Sequence, residues 1–319
     1  MLLCPLFLSC VLGADPTDQM LVENERVSIT LSSHGAAIRA VDKQSGRTLF
    51  FTSAQRPLFR FDYSQCHEPG AKIVMRHAGQ AEQIRMEPWS RGSDRGAQIT
   101  FTGFDKLPIT VVCTVFTRES DGLVHWGLEA SLPPDVTLEA VSYPVVAVGP
   151  TLAAAENGAA VVGSAKGGIH RWSQWKEGET RQFEQPGSLV AGFGCCYDDA
   201  GGVHTAACDP KGYRKTLFFQ RTKGRLDWGW RHPCLCQQRF TLPYDIVLSS
   251  FTSSESDRSA DWRDAADIYK AWAVKQPWCR QTFAERNGLP EWLKQGPIRR
   301  SGRAASWTSR CPRERPCCA

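Results

Sequence analysis

The chain has 319 residues, room for one large domain or two ordinary ones, and 42% of them are hydrophobic, enough for a real core. No run reaches the ~20 apolar residues of a membrane-spanning helix, so the sequence predicts no transmembrane segment. The formal charge of +5 comes from the stretch between Arg299 and Ala319, which holds six arginines and one acidic residue. The rest is formally neutral and lacks a basic stripe with interleaved aromatics, which argues against nucleic acid as a partner.

Residues 1–14 predict a signal peptide. The run MLLCPLFLSCVLG is apolar, and small residues surround a cleavage point after Gly13 or Ala14. Export to the periplasm or the extracellular space is therefore predicted. Because the stretch has no Lys or Arg and Pro5 interrupts it, two alternatives stay open. These are a short apolar N-terminal strand, which leaves a cytoplasmic location open, and a start codon assigned too far downstream.

Residues 20–255 predict a β-protein, because short alternating runs are separated by turn residues roughly every 8–12 positions. This many strands before one convincing helix predict a mainly β fold, a large antiparallel two-sheet β-sandwich followed by a short α-helical linker. The predicted strands are Arg26–Leu31, Ala37–Asp42, Arg47–Phe51, Leu58–Tyr63, Ile73–Ala78, Gln83–Pro88, Ala97–Phe104, Ile109–Arg118, Leu123–Ser131, Thr137–Val148, Leu189–Tyr197, Val203–Cys208, Tyr213–Arg221, Arg225–Trp230 and Phe240–Phe251.

Residues 259–298 predict a helical linker. Asp261 is a suitable N-cap, Asp264 places negative charge in the first turn, and apolar residues then recur at helical spacing. Pro277 ends this helix. Because Gly296-Pro297-Ile298 suits the start of a new strand, we expect the linker to lead into a further domain.

Residues 299–319 form a basic, Cys-rich tail without apolar periodicity. Its composition is typical of a GC-rich coding region translated out of frame, which leads us to expect a chain truncated before the next domain. The alternative is a genuine basic tail that is disordered.

Three groups of segments, in this order and spacing, carry a resemblance over most of residues 20–298. They are Leu21–Leu31 with Gly35–Leu49, Tyr197–Gly202 with Cys208–Lys215, and Asp261–Ala273 with Gln276–Cys279. Together they resemble the N-terminal galactose-mutarotase-like supersandwich and linker helix of a bacterial glycoside-hydrolase-like protein, in a family catalogued as a domain of unknown function. The resemblance implies a (β/α)₈ barrel after the linker, with catalytic carboxylates on that barrel. None of those carboxylates maps onto this chain.

The segment Gly167–Glu179 is the first candidate site for carbohydrate. Trp172 and Trp175 have ring faces that suit the C–H faces of a sugar, and His170, Arg171 and Glu177 could bond its hydroxyls. The alternative is that both tryptophans cover an edge of the sandwich or dock against the barrel.

Trp228 and Trp230 form a second aromatic candidate. Strand alternation points both side chains to one face, which fits a sugar platform, a core or a domain interface.

A His with a carboxylate would indicate sugar mutarotase chemistry, which moves protons at the ring and anomeric oxygens. His125 and Glu129 face the same side of one strand but lie ~13 Å apart along it, too far to serve one hemiacetal. His67 and Glu68 sit beside Pro69-Gly70 and are typical of plain surface.

The sequence assigns no catalytic residue, no cofactor and no metal, since Asp198-Asp199 before Gly201-Gly202 is typical of a turn. The predicted function is a non-catalytic carbohydrate-associated sandwich, with carbohydrate and a missing or separate (β/α)₈ domain as partners. The alternatives are a self-sufficient carbohydrate-binding module, which requires exposed tryptophans on one concave face, and an aldose mutarotase-like isomerase.

Overall fold

The computed structural model describes residues 19–32, 38–53, 57–65, 72–164, 167–223, 225–253, 255, 257–281, 285–288 and 290. In chain order the strands are β1 (Gln19–Glu23), β2 (Val27–Ser32), β3 (Ile38–Asp42), β4 (Thr48–Phe51), β5 (Arg60–Gln65), β6 (Val74–His77), β7 (Gln83–Arg91), β8 (Asp94–Phe104), β9 (Leu107–Arg118), β10 (Leu123–Ser131), β11 (Val136–Val148), β12 (Ala159–Ser164), β13 (Ile169–Arg171), β14 (Thr180–Gln185), β15 (Leu189–Asp198), β16 (Gly201–Ala207), β17 (Lys215–Thr222), β18 (Arg225–Gln237), β19 (Arg239–Thr241) and β20 (Ile246–Phe251). The α-helices within these ranges are α1 (Pro150–Ala153) and α2 (Trp262–Ala273).

The strands form two antiparallel sheets, so the predicted two-sheet sandwich is confirmed. The first sheet has the order β1-β2-β3-β4-β11-β18-β17-β14, with β5 also beside β11 and β6 beside β5. The second has the order β13-β12-β15-β16-β20-β10-β9-β8-β7, with β19 beside β10. The chain crosses between the sheets several times, which makes each sheet depend on distant segments of sequence.

Alternation along each strand places the core between the two sheets. In β9, Ile109, Val111, Cys113 and Val115 are buried in the core, while the residues between them face the other side of the sheet. Aromatic pairs join the layers, as in the edge-to-face contact of Phe61 with Phe104 at 5.0 Å between centroids.

The segment Cys208–Lys215 connects β16 of the second sheet to β17 of the first. Asp209 accepts hydrogen bonds from the backbone amides of Lys211, Gly212 and Tyr213, and from Nζ of Lys215 at 2.6 Å. Both members of this ion pair are buried. The paired charges therefore fix the connection between the layers from inside the fold.

Helix α2 begins as the sequence predicts. Asp261 is the N-cap, and Asp264 completes a capping box by accepting from the Asp261 amide at 3.0 Å. Trp262 and Ala265 pack on the outer face of the second sheet against residues of β12, β15 and β20. Ala266 and Tyr269 pack next to them, and Tyr269 stacks on Phe193 at 5.4 Å between centroids.

The chain divides into two units, the first ending at Val274 and containing both sheets and α2. In the second unit, a 3₁₀ turn spans Pro277–Cys279, and Arg286 donates to the Trp278 carbonyl at 2.7 Å. The predicted signal peptide and the predicted basic tail lie outside the described residues. No helix within the described ranges is long and apolar enough to span a membrane.

Candidate functional site

The predicted carbohydrate loop brings its two tryptophans into the core. Trp172 is 6% exposed and its indole Nε1 donates to the Leu152 carbonyl at 2.9 Å. Gly158 makes room for this ring, because a Cβ there would lie 2.1 Å from the same Nε1. The indole polar group is thus satisfied internally and its faces are covered by protein.

Trp175 is also 6% exposed, and Arg181 covers one face of its ring at 4.2 Å from the centroid. Arg181 also donates to Nδ1 of half-buried His170 at 2.6 Å. Burial, and then the charge of Arg181, lower the pKa of His170 below its usual value. The imidazole is therefore neutral, and its Nδ1 already accepts a hydrogen bond from Arg181.

The remaining candidates of this loop do not converge on a pocket. Arg171 is exposed, and exposed Glu177 accepts from the backbone amide of Lys223. Trp228 and Trp230 share a face, as alternation predicts, but that face is the core, where they are 1% and 0% exposed. Nε1 of Trp230 donates across the layers to Thr205 at 2.9 Å. All four tryptophans are therefore withdrawn from the surface, so the exposed aromatic face that a self-sufficient binding module requires does not come from them.

A different aromatic row crosses the outer face of the second sheet. Register places Trp89, Gly96, Phe116 and His125 opposite one another on β7, β8, β9 and β10. The ring of Trp89 lies 4.8 Å from that of Phe116, which in turn stacks on His125 at 5.3 Å. Gly96 lets β8 and β9 approach closely at this row, because a Cβ on Gly96 would lie 2.0 Å from the Val115 carbonyl oxygen.

A groove of about 520 Å³ runs beside this row, within the range of about 300–1,000 Å³ usual for ligand sites. Gln98, Thr114 and Gly127 face each other in register along it. Gly127 leaves space there, because an added Cβ would contact only the Thr114 Cβ, at 3.8 Å. The lining residues are Trp89, Ser90, Arg91, Gln98, Val112, Thr114, Phe116, Gly127, Leu128, Glu129, Thr241, Leu242 and Asp245.

An ion cluster fixes one end of the groove. Nε2 of His125 lies 3.1 Å from Asp121 and its Nδ1 lies 3.3 Å from Asp245. Arg118 donates to the same Asp245 carboxylate at 2.7 Å. Burial favours a neutral imidazole, but the two carboxylates outweigh it and raise the pKa of His125. Burial likewise opposes the charge on Asp245, yet His125 and Arg118 lower its pKa, so the groove presents an oriented carboxylate.

This geometry bears on the mutarotase alternative. His125 and Glu129 face the same side of β10, as predicted, and exposed Glu129 lines the groove. His125 is 1% exposed and both its ring nitrogens face carboxylates, so it is not placed to move a proton on a ligand in the groove. His67 and Glu68 lie outside the described residues. Across the described part of the chain, no three His, Cys, Asp or Glu side chains are grouped as metal ligands would be.

The sequence reasoning missed the groove residues Trp89, Gln98, Gly127 and Asp245. Alternation within β7 and β9 was the available signal, since it points Trp89 and Phe116 away from the core. The local pattern does not predict which strands lie side by side. It therefore does not predict which rings are in contact.

Residues 240–314 match the domain of unknown function DUF6259. No curated protein sequence matches the chain. The matched segment runs from β19 through α2 and onward, so it includes the helix that follows the sandwich.

Solved structures of one glycosidase share the fold, and a second glycosidase matches more weakly. The α-N-acetylgalactosaminidase NagBb from Bifidobacterium bifidum, in complex with Gal-NHAc-DNJ, matches with a TM-score of 0.59 at 11% identity, over 80% of this chain and 39% of that one. Its complex with GalNAc matches with a TM-score of 0.57 at 10% identity, over 80% and 38%. The GH36 α-galactosidase AgaA from Geobacillus stearothermophilus has a TM-score of 0.48 at 7% identity, over 81% and 43%.

The findings define a two-sheet β-sandwich with the fold of the NagBb structures and a match to DUF6259 over residues 240–314, which confirms the predicted resemblance. The chain spans about two fifths of the length of the NagBb structures that it matches.

Proposed function

We propose that this chain is a non-catalytic, carbohydrate-associated sandwich of a glycoside-hydrolase-like protein, and that it binds a glycan in the groove of the second sheet. The observation that carries the proposal is the combination of a partly exposed Trp89 ring with polar side chains along one groove. Trp offers a flat apolar face to sugar C–H groups, while Gln98, Thr114 and Asp245 offer partners for hydroxyls.

The fold neighbours support the same class of ligand, since NagBb is named as an α-N-acetylgalactosaminidase. Catalysis is assigned to a separate region because the resemblance implies catalytic carboxylates on a barrel, and because His125 and Arg118 lower the pKa of Asp245 in the groove. A carboxylate with a lowered pKa is a poor general acid at neutral pH. Purified protein is therefore expected not to hydrolyse p-nitrophenyl α-galactosides, and measurable turnover would refute the non-catalytic assignment.

We also propose the domain arrangement that the sequence predicts. Residues 20–255 are the sandwich, and residues 259–298 connect it to a (β/α)₈ catalytic domain in the same or a separate polypeptide. Residues 1–14 direct export, and residues 299–319 are a basic, Cys-rich tail. To test export, residues 1–14 are fused to a reporter that is active only in the periplasm. A reporter that stays in the cytoplasm would contradict the proposed signal peptide.

Filling the groove tests glycan binding directly. Gly127→Phe should place a ring in the groove without a clash at Cβ, since the nearest atom is 3.8 Å away. We expect at least a tenfold loss of affinity for galactose or N-acetylgalactosamine in calorimetric titrations. Gln182→Phe adds the same ring at an exposed position of β14 in the first sheet and is the matched control. Equal affinities in both variants would place sugar binding elsewhere.

A further inference from the structure

Trp89 separates two depressions on the surface, not one. The second has a volume of about 470 Å³ and lies where β1 of the first sheet meets the ends of β8 and β9. Both depressions are lined by Trp89 and Ser90, so they adjoin at this ring. The other lining residues of the second are Leu21, Val22, Glu23, Pro88, Arg95, Gly96 and Thr117.

The second depression combines apolar surface with hydrogen-bonding groups, as the groove does. The second combines the exposed side chain of Leu21 with the charged groups of Glu23 and Arg95 and the hydroxyls of Ser90 and Thr117. Arg95 is exposed, and within the described part of the chain its side chain donates to carbonyls of its own turn, which do not balance its charge. Apolar surface beside hydrogen-bonding groups fits a pyranose ring, which has both.

The charges indicate an uncharged ligand. The second depression carries one acidic and one basic side chain, Glu23 and Arg95, and Glu23 is already paired with Lys43 at 3.1 Å. In the groove, Arg91 lies over the Trp89 ring at 5.6 Å and is balanced in sign by Glu129, and the charge of Asp245 is already compensated by Arg118. Neither depression therefore gathers the several like charges that would select a phosphate, a sulfate or a uronic acid.

We propose that the groove and the second depression form one extended site for a neutral oligosaccharide, with Trp89 between two subsites. This inference rests on the proposed carbohydrate function and adds to it the length and charge of the ligand. Two linked subsites predict that affinity rises with chain length until both are occupied, because the second contact is then intramolecular.

A length series tests this. Calorimetric titrations would compare galactose, melibiose, raffinose and stachyose, with maltose, maltotriose and maltotetraose as a second series. We expect at least a tenfold gain in affinity from one to three sugar units. Arg95→Ala should weaken trisaccharide binding about fivefold and leave galactose unchanged, whereas Gln98→Ala should weaken both. Trp89→Ala should remove most of the gain with length, and Tyr213→Ala is the control for an exposed ring outside both depressions.

The outcomes separate the two proposals. Sugars that bind with the same affinity at every length, or trisaccharide binding that is insensitive to Arg95→Ala, would overturn the extended site and leave the groove as a single-sugar site. If the wild-type protein binds none of the seven probes and no N-acetylgalactosamine, both the extended site and the carbohydrate function are overturned. Folding of each variant is checked by its urea midpoint, and Arg95→Lys provides a milder substitution at the same exposed position.

Discussion

The outer face of the second sheet has a covered half and an open half, and one row of residues crosses both. In the open half this row reads Trp89, Gly96, Phe116 and His125. In the half beneath α2 it continues as Val247, Ala206 and Phe193. Apolar side chains there let a helix pack closely, whereas the open half keeps aromatic rings beside polar groups. The same sheet thus serves for packing at one end and is available to a ligand at the other.

Two buried histidines make the contrast sharper. His125 in the open half is surrounded by carboxylates, and its pKa is raised. His204 in the covered half stacks on Phe193, and neither of its ring nitrogens has a hydrogen-bond partner among the described residues. Burial lowers the pKa of His204 to about 3. One face therefore favours the charged form of an imidazole in a polar cluster and the neutral form of another in an apolar contact.

The largest loss of stability is expected from disrupting the contact between α2 and the covered half of the sheet. Ala265→Arg would push a charge into the contact of α2 with β12, β15 and β20, where Ala265 is fully buried. We expect a loss of about 3 kcal/mol in the free energy of unfolding, because a buried charge would have no partner. Urea denaturation measures it, with Ala271→Arg on the exposed side of α2 as the control. A loss below about 1 kcal/mol would mean that α2 is only loosely held.

His125→Leu should destabilise the open half by about 2 kcal/mol. This is less than the ~3–5 kcal/mol of a fully buried pair, because Asp121 and Asp245 remain partly exposed. The folded-state pKa is raised, so the contribution of His125 is complete below its unfolded pKa of about 6.5 and disappears as the pH rises through the folded value. Urea unfolding at pH 5.5 and pH 9 should show the larger cost at pH 5.5. The reverse order would contradict a charged His125.

His204→Leu should stabilise the covered half by about 1 kcal/mol at neutral pH, because it removes two unsatisfied buried nitrogens. The folded-state pKa is lowered, so wild-type stability is complete above about pH 6.5 and decreases as the pH falls toward about 3. The advantage of the variant should therefore be greater at pH 5 than at pH 8. If the variant is less stable than wild type at both pH values, the ring nitrogens of His204 are hydrogen-bonded in the folded protein.

The smallest effect is expected from Gly127→Ala in the open half. A methyl group fits there, and alanine loses less backbone entropy than glycine in a strand, so we expect a gain of about 0.5 kcal/mol. Thermal unfolding would detect a correspondingly higher midpoint. Gly96→Ala is the contrasting control, since its Cβ would clash with the Val115 carbonyl and should destabilise. A loss on Gly127→Ala would mean that the groove is narrower than described.

Some strands were predictable and others were not. The turn at 119–122 and the apolar runs beside it are local signals of the β9–β10 hairpin, in which Leu123 lies opposite Arg118. The strands β1, β12, β13 and β14 were not predicted. β13 has three residues, too few to show an alternating pattern. β14 reads TRQFEQ, an edge strand with one apolar residue and therefore no alternation of apolar and polar side chains. The predicted strand Phe240–Phe251 is two strands, β19 and β20, in the structure.

The sequence by itself determined the mainly β class and the capped helix α2, because alternation and capping are local properties that neighbouring residues specify. It also limited Trp228 and Trp230 to one shared face. Only the tertiary structure decided which face that was, that Trp172 and Trp175 are covered, and that Trp89, Gln98 and Asp245 meet in a groove. Those outcomes depend on pairing between strands far apart in the chain, and such pairing is set by the packing of the whole sandwich.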